Sequence, residues 1–303
     1  MITLPALAEL VRTYADDLPQ GELPHVAPIV LGDRSFDADR EPVVMGCLNL
    51  SRDSTYRDSV ATSTESAVRR GRILAAQGAH LVDLGAESTN ATAGRVETAR
   101  QIDVLTPVVS ALAADGVIVS AETYDPEVAL ACLEAGARVL NFTGAATQDE
   151  IFSLAARFKA TVVLCYVRGA DVREVTDVEA DADPVPGLLA HFAARVDRAR
   201  ELGVEQLVVD PGLGFFYGNL TVPAVRVRHQ TRVLLQTFRL RALGLPVCHA
   251  LPHAFDLFQE QFRQAEPMFA VLARLGGTGM FRTHEVPQVR AVLDALTVLD
   301  VAG

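Results

Sequence analysis

After Pro42 the chain repeats one pattern, a short apolar run that ends in a polar residue, then a longer segment with apolar residues at helical spacing. Short apolar runs bounded by turn residues predict buried strands, and the helical spacing predicts helices that cover them. Strands are predicted at residues 43–49, 80–84, 117–121, 138–142, 161–166, 206–210, 245–249 and 278–281. Helices are predicted near residues 63–77, 96–113, 126–135, 148–158, 186–202, 222–242, 254–275 and 285–300.

Eight strand–helix alternations predict an α/β fold, a (β/α)8 TIM barrel, because that fold takes about 250 residues. A doubly wound open sheet is the alternative. The first strand is not followed by the Gly-x-Gly-x-x-Gly turn of dinucleotide-binding sheets, which favours the barrel. The acidic, proline-containing stretch 171–186 predicts a long loop after the fifth strand.

Residues 1–41 do not share this repeat. Residues 4–15 have apolar positions at helical spacing, and proline and glycine then interrupt the chain repeatedly. We therefore expect an N-terminal extension, residues 1–41, that packs on one end of a barrel formed by residues 42–303.

Composition and charge exclude several classes of protein. The net charge of −11 argues against a surface for nucleic acid, and no apolar run is long enough to span a bilayer. The four cysteines form no Cys-x-x-Cys pair, and the N-terminus lacks the pattern of a signal peptide. We expect a cytoplasmic protein that acts on a small molecule and has neither a nucleic acid nor a membrane as partner.

A polar residue lies at or near the end of every predicted strand, where the chemistry of TIM barrels is found. Any one of these residues is also explained as a simple turn former. A complete ring over one mouth of the barrel predicts a ligand site instead. The ring contains Asn49, Asp83, Glu122, Asn141, Tyr166, Asp210, His249 and Arg282.

The segment Val208-Val209-Asp210-Pro211-Gly212-Leu213-Gly214-Phe215 resembles the pterin-binding segment of dihydropteroate synthases. Five further motifs resemble that family in the expected order: 45–54, 78–89, 119–128, 140–141 and 282–286. The resemblance covers about residues 42–300 and identifies the chain as a member of the dihydropteroate synthase-like, pterin-binding TIM-barrel superfamily. It implies a transferase that binds a reduced pterin or a tetrahydrofolate derivative.

The resemblance also implies roles for the mouth residues. A pterin presents adjacent N–H donors, which suit the two carboxylate oxygens of Asp210 and the amide of Asn141. Phe215 would offer an apolar face to the ring. Thr89, at the end of the second-strand motif, is expected in the same pocket.

Three more residues are implied near the charged part of the substrate. Asn49 corresponds to the family's contact to Mg²⁺ or diphosphate, so Mg²⁺ is a candidate metal. Arg282 and His284 alternate along an extended segment and would face the same side, where they can stack on the pterin or bind an anion. Alternatively, Arg282 and His284 form ion pairs at an exposed corner of the protein.

Several positions depart from the family pattern. Ser88-Thr89 is followed by Asn90-Ala91 instead of Arg-Pro, and residues 246–255 contain neither the family's Ser-Arg-Lys nor any lysine or arginine. Glu122 stands where the family usually has aspartate. Because lost electrostatic contacts can cost about 10²–10³ in rate, we expect little or no standard dihydropteroate synthesis unless Arg52, Arg95 or Arg168 restores the charge.

These departures lead us to expect a transferase whose substrate is a reduced pterin or a one-carbon tetrahydrofolate derivative. Glu122, His249 and His253 are the candidate acid/base groups. Two alternatives stay open: a genuine dihydropteroate synthase with an altered acceptor site, and a non-catalytic pterin binder. Apolar positions in residues 222–242 and 254–275 predict a homodimer, although core packing explains them equally well.

Overall fold

The computed structural model describes residues 2–51, 61, 63–89, 93–174, 176–178 and 183–299. The chain begins with helix α1 (Leu4–Thr13), whose first turn is capped by the Thr3 side chain, which accepts the Ala6 N–H. Two 3-10 turns and a hairpin of β1 (Ile29–Leu31) and β2 (Arg34–Phe36) follow.

Eight parallel strands form the centre of the molecule. They are β3 (Val43–Asn49), β4 (Leu81–Gly85), β5 (Val119–Thr123), β6 (Val139–Phe142), β7 (Thr161–Cys165), β8 (Leu207–Asp210), β9 (Cys248–Ala250) and β10 (Met280–Thr283). Their order is β8-β7-β6-β5-β4-β3-β10-β9, and a parallel bridge between Val209 and Val247 links the two ends of the sheet. The strands therefore form a nearly closed barrel, and the predicted TIM-barrel fold is confirmed.

Helices cover the outside of the barrel. They are α2 (Thr64–Ala76), α3 (Thr98–Ala114), α4 (Pro126–Glu134), α5 (Gln148–Phe158), α6 (Val185–Glu201), α7 (Pro223–Leu235), α8 (Thr237–Leu240), α9 (Phe255–Phe258), α10 (Ala265–Leu275) and α11 (Val286–Val298). Within the described residues, none is both long and apolar enough to cross a membrane.

Two of the predicted helices are divided in the structure. The helix predicted over 222–242 becomes α7 and α8, because Gln236 leaves helical geometry at φ −103° and ψ 11°. The helix predicted over 254–275 becomes α9, a 3-10 turn and α10, because Gln259 has a φ of 48°. The second interruption lies near the open end of the barrel, whereas Arg241, after the first, contacts Pro24 and Asp39 of the N-terminal segment.

The hairpin closes the opposite, N-terminal end. Ile29, Leu31 and Phe36 are buried in one apolar cluster with inward-facing residues from the beginnings of the strands, such as Met45 and Leu81. A second, larger apolar cluster lies between the strands and the outer helices. With one end filled by apolar side chains, polar groups gather at the carboxyl ends of the strands.

Candidate functional site

A cavity of about 270 Å³ opens at the carboxyl ends of the strands. This volume is slightly below the usual range for drug-sized ligands, so the cavity suits a small heterocycle. Nine of the ten residues assigned to the site from the sequence line it: Asn49, Thr89, Glu122, Asn141, Asp210, Phe215, His253, Arg282 and His284. The structure thus brings together residues that are up to 235 positions apart in the chain.

The floor of this pocket is a network around Asp83, which is buried beneath it. Arg282 Nε donates to Asp83 Oδ2 at 2.7 Å, and another guanidinium nitrogen of Arg282 donates to Glu122. Asn141 Nδ2 donates to Asp83 Oδ2 at 3.0 Å, and Ser120 Oγ donates to Oδ1 at 2.6 Å. Asp83 therefore fixes the positions of both Arg282 and Asn141.

Asn141 is held on its other side as well. Its Oδ1 accepts the thiol of Cys165 at 3.2 Å. Because Nδ2 donates to a carboxylate, the orientation of the amide is determined by chemistry. An amide has two hydrogens and two lone pairs, so each end retains capacity for a ligand that both donates and accepts.

Asp210 is the last residue of β8 and is buried at the floor. Its Oδ1 accepts the Gly212 N–H at 2.8 Å. Gly212 has a φ of 77°, and a Cβ there would lie 2.8 Å from the Tyr166 carbonyl oxygen, so only glycine fits this turn. Burial raises the pKa of Asp210 to about 6, against the lowering effect of its hydrogen bonds, so the carboxylate is mostly ionised at neutral pH.

Burial also raises the pKa of Glu122, to about 7; Arg282 opposes this shift, and Asp83 and Asp210 add to it. The described floor thus has one guanidinium among three carboxyl groups. This balance repels anions and favours a neutral ligand that presents N–H donors.

One wall of the pocket is apolar. Phe215 packs against Cys165, Val167 and Val172 and exposes part of its ring to the cavity. Leu213 and Leu251 also line the pocket. An apolar wall above a hydrogen-bonding floor suits a flat heterocycle.

At the rim, Glu266 binds two histidines. Its Oε1 lies 3.0 Å from His253 Nδ1 and 3.1 Å from His284 Nδ1. Burial alone would raise the pKa of Glu266, but hydrogen bonds from the two histidines outweigh it and hold that pKa below the usual value. Burial lowers the pKa of His284 to about 4, so this ring is neutral at pH 7. Asn49 Nδ2 lies 3.5 Å from His284 Nε2, on the side away from Glu266.

Glu266 had no signal in the sequence. It lies in the first turn of α10, where a glutamate is ordinarily explained by the positive end of the helix dipole or by exposure to solvent. Only the fold, which places α10 beside β10, shows that the side chain is buried.

The expectation that His249 opens on the mouth requires correction. His249 is buried, and its Nε2 lies 2.8 Å from Thr237 Oγ1 of α8. Side chains alternate along a strand, and the neighbours Cys248 and Ala250 face the barrel interior, so His249 faces the helices. Burial lowers its pKa to about 3. His249 therefore lies outside the pocket.

Two of the arginines expected to restore charge, Arg95 and Arg168, make other contacts. Arg95 pairs with Asp171 at 3.1 Å, and Arg168 donates to the Asp177 carbonyl oxygen at 2.7 Å. Arg52 and residues 90–91 lie outside the described residues. Arg226 of α7 does line the pocket, 3.3 Å from the exposed Asp256. In the sequence it is one of several arginines in a helix, and nothing there distinguishes it from a solvent-facing residue.

Comparisons with known proteins agree with this geometry. The model of a family described as "Pterin binding enzyme" matches residues 45–284. A dihydropteroate synthase of Synechocystis sp. is 30% identical over 286 residues, which span 89% of this chain and 95% of that protein.

Solved structures of dihydropteroate synthases are also similar to this chain. A Xanthomonas albilineans dihydropteroate synthase with 4-aminobenzoic acid matches with a TM-score of 0.75 at 27% identity, covering 91% of this chain and 100% of that one. A Thermus thermophilus dihydropteroate synthase in complex with 6HMPPP matches with a TM-score of 0.69 at 28% identity, covering 90% and 100%. The chain therefore belongs to the pterin binding enzyme family and is a transferase of the dihydropteroate synthase-like kind.

Proposed function

We propose that this protein joins a reduced pterin to an arylamine, the reaction of a dihydropteroate synthase. One observation carries the proposal: Asp210 and Asn141 lie together at the buried floor of a pocket that has an apolar wall. The adjacent N–H donors of a pterin match the two acceptor oxygens of Asp210. The ring would lie against Phe215, with its substituent directed toward the rim.

The reaction needs a leaving group and an amine. The bond between the pterin methylene carbon and a diphosphate oxygen breaks, and the diphosphate leaves with the electron pair. The amine nitrogen bonds to that carbon and loses a proton. Glu122, with a pKa of about 7, is the proposed proton acceptor, since a group that titrates near the working pH is the most effective base.

The acceptor would be an arylamine that carries a carboxylate. Arg226 lines the pocket and is the proposed partner of that carboxylate, although it lies on α7 rather than after β9, where the family's lysine is found. An arginine binds a carboxylate through two parallel hydrogen bonds. Because the carboxylate would be bound from a different position than in the family, this protein is expected to prefer different arylamine acceptors.

Mg²⁺ fits the site only together with substrate. Arg282 binds the carboxylates of Asp83 and Glu122, and Asn49 lines the pocket with an amide oxygen of the kind that Mg²⁺ binds. Mg²⁺ is usually held by one or two protein oxygens plus substrate phosphates and water. Asn49 would therefore hold Mg²⁺ at the diphosphate, where the ion supplies positive charge to the leaving group.

A second candidate is the transfer of a one-carbon unit from a tetrahydrofolate derivative. The absence of lysine and arginine from residues 246–255 favours it, because such a substrate carries no diphosphate. The comparisons give it no support, since the relatives reported above are dihydropteroate synthases. A non-catalytic pterin binder would keep Asp210 and Asn141 but show no turnover.

A product assay tests the proposal. The full chain is incubated with 7,8-dihydropterin pyrophosphate, p-aminobenzoate and Mg²⁺, and the products are identified by mass spectrometry. Formation of dihydropteroate by the wild type, together with its absence in Asp210→Asn, would support the proposal. A parallel reaction with 5-methyltetrahydrofolate tests the second candidate. Binding of the pterin without any product from either reaction would contradict both enzymatic functions.

A further inference from the structure

Three potential metal ligands meet at the rim from three separate segments. His253 follows β9, Glu266 begins α10 and His284 follows β10. One potential ligand atom from each of the three residues lies within 4.8 Å of the other two. Glu266 and His284 are buried, and His253 is partly exposed toward the pocket.

The two distances from Glu266 to the histidines match those between ligands of one metal ion. Zn²⁺ lies about 2.0–2.1 Å from imidazole nitrogen and about 2.0–2.2 Å from carboxylate oxygen, so two such ligands are about 3.0–3.5 Å apart. Glu266 Oε1 lies 3.0 Å from His253 Nδ1 and 3.1 Å from His284 Nδ1. Two imidazoles and one carboxylate favour a transition metal over Mg²⁺, which prefers oxygen ligands alone.

The surrounding hydrogen bonds orient these ligands. Glu266 Oε2 accepts the Thr283 hydroxyl, the His284 N–H at 2.8 Å and the Glu285 N–H at 3.2 Å, and Oε1 is thereby turned toward the imidazoles. The Asn49 amide lies 3.5 Å from His284 Nε2. Hydrogen-bonded carboxylates and a polar partner on the outer nitrogen of a histidine are typical of metal sites in proteins.

We propose that His253 Nδ1, Glu266 Oε1 and His284 Nδ1 bind a divalent transition metal of the Zn²⁺ class. In each imidazole the proton moves from Nδ1 to Nε2, so both rings stay neutral and nothing is oxidised; the Asn49 amide would turn its oxygen toward His284 Nε2 to accept that N–H. Both histidines line the pocket, which leaves a coordination position open to water or substrate, as in catalytic rather than structural zinc sites.

The role of this metal rests on the proposed function. A divalent ion with one carboxylate leaves a net charge of about +1, beside residues 246–255, which contain no lysine or arginine. At this position the metal acts as a Lewis acid toward an oxygen of the departing diphosphate. It would thus replace cations that the family pattern has and this chain lacks.

The binding of metal is tested without activity. The full chain, freed of any tag and stripped with a chelator, is titrated with Zn²⁺ by calorimetry and with Co²⁺ by visible absorption. One equivalent is expected to bind. His253→Gln and His284→Gln should each weaken Zn²⁺ binding about a hundredfold or more, because even outer-shell substitutions cost about 10–100-fold. His191→Gln is the matched control, since His191 is half-buried beside Arg195 in a different cavity.

His253→Gln is the decisive variant, because Glu266→Gln also disturbs three hydrogen bonds that hold the chain around Thr283 to Glu285. Equal Zn²⁺ affinity in the wild type, His253→Gln and His191→Gln would overturn the proposal. A wild type that does not bind Zn²⁺ would also overturn it. Titration with 7,8-dihydropterin separates the two proposals. Asp210→Asn should lose pterin and keep Zn²⁺, whereas His253→Gln should lose Zn²⁺ and keep pterin.

Discussion

Asn141 donates its side-chain amide to Asp83 across 3.0 Å, and the same carboxylate oxygen accepts the guanidinium of Arg282 at 2.7 Å. Asp83 thus acts on the ligand through two residues that line the pocket, although it lies beneath them. Removing one partner of a buried ion pair leaves the other charge uncompensated.

Asp83→Asn is therefore expected to lower the free energy of unfolding by about 3 kcal/mol, because Arg282 loses a buried carboxylate partner. Urea denaturation measures this change. Asp294→Asn is a suitable control, since Asp294 is exposed and pairs with Arg290 on the same helix. A loss as small as that of the control would show that Glu122 alone compensates Arg282.

The affinity for a reduced pterin should depend on pH through Asp210. Burial raises the pKa of this carboxyl to about 6, so the ionised form that accepts two N–H donors is populated above pH 6 and lost below it. Kd should be nearly constant above pH 7 and rise about tenfold by pH 5. Fluorescence titration at several pH values measures it, and Asp210→Asn should have a flat profile. A wild-type Kd independent of pH would contradict this role.

Glu122→Gln tests the proposed acid/base role. The pKa of Glu122 is raised by burial to about 7, so kcat should rise with pH as the carboxylate forms. The variant should lower kcat about 10²–10⁴-fold and remove that limb of the pH profile. If the limb persists in Glu122→Gln, a group other than Glu122 takes the proton.

Arg226→Gln tests the acceptor site. Loss of a charge-assisted hydrogen bond costs about 1.5–3 kcal/mol, so KM for p-aminobenzoate should rise about tenfold to a hundredfold with little change for the pterin. Arg228→Gln is the matched control, because Arg228 lies on the same helix and is exposed. An equal effect of both variants would point to the general charge of α7 instead of a specific contact.

The predicted homodimer stays a proposal. Leu234 and Phe238, two of the apolar residues behind it, are buried in the protomer, so core packing explains them. Leu257, Met268 and Leu275 are exposed near the same helices and are the proposed contact. Light scattering at micromolar concentration should give twice the mass of the chain, and Leu275→Glu should shift it to the monomer. A strict monomer for the wild type would remove this proposal.

The sequence predicted the parts that depend on local pattern. Asp210 ends β8 and Asn141 is the next-to-last residue of β6, and parallel strands bring their carboxyl ends to one mouth, so their meeting follows from the alternation alone. The sequence does not show that His249 faces outward, because it is the middle residue of β9 and a shift of one residue along a strand reverses the side on which a side chain lies. Glu266 and Arg226 lie on helices, and only tertiary packing decides whether such charged residues face solvent or a pocket.

The central claim is that Asp210 binds the donor edge of a reduced pterin. Calorimetric titration of 7,8-dihydropterin into the wild type, Asp210→Asn and the control Asp294→Asn tests it most directly. Asp210→Asn replaces an acceptor oxygen with a donor that faces the ligand's own donors, which should cost about 1–3 kcal/mol, or about tenfold to a hundredfold in Kd. The control should bind like the wild type, whereas an unchanged Kd in Asp210→Asn would contradict the proposed pocket.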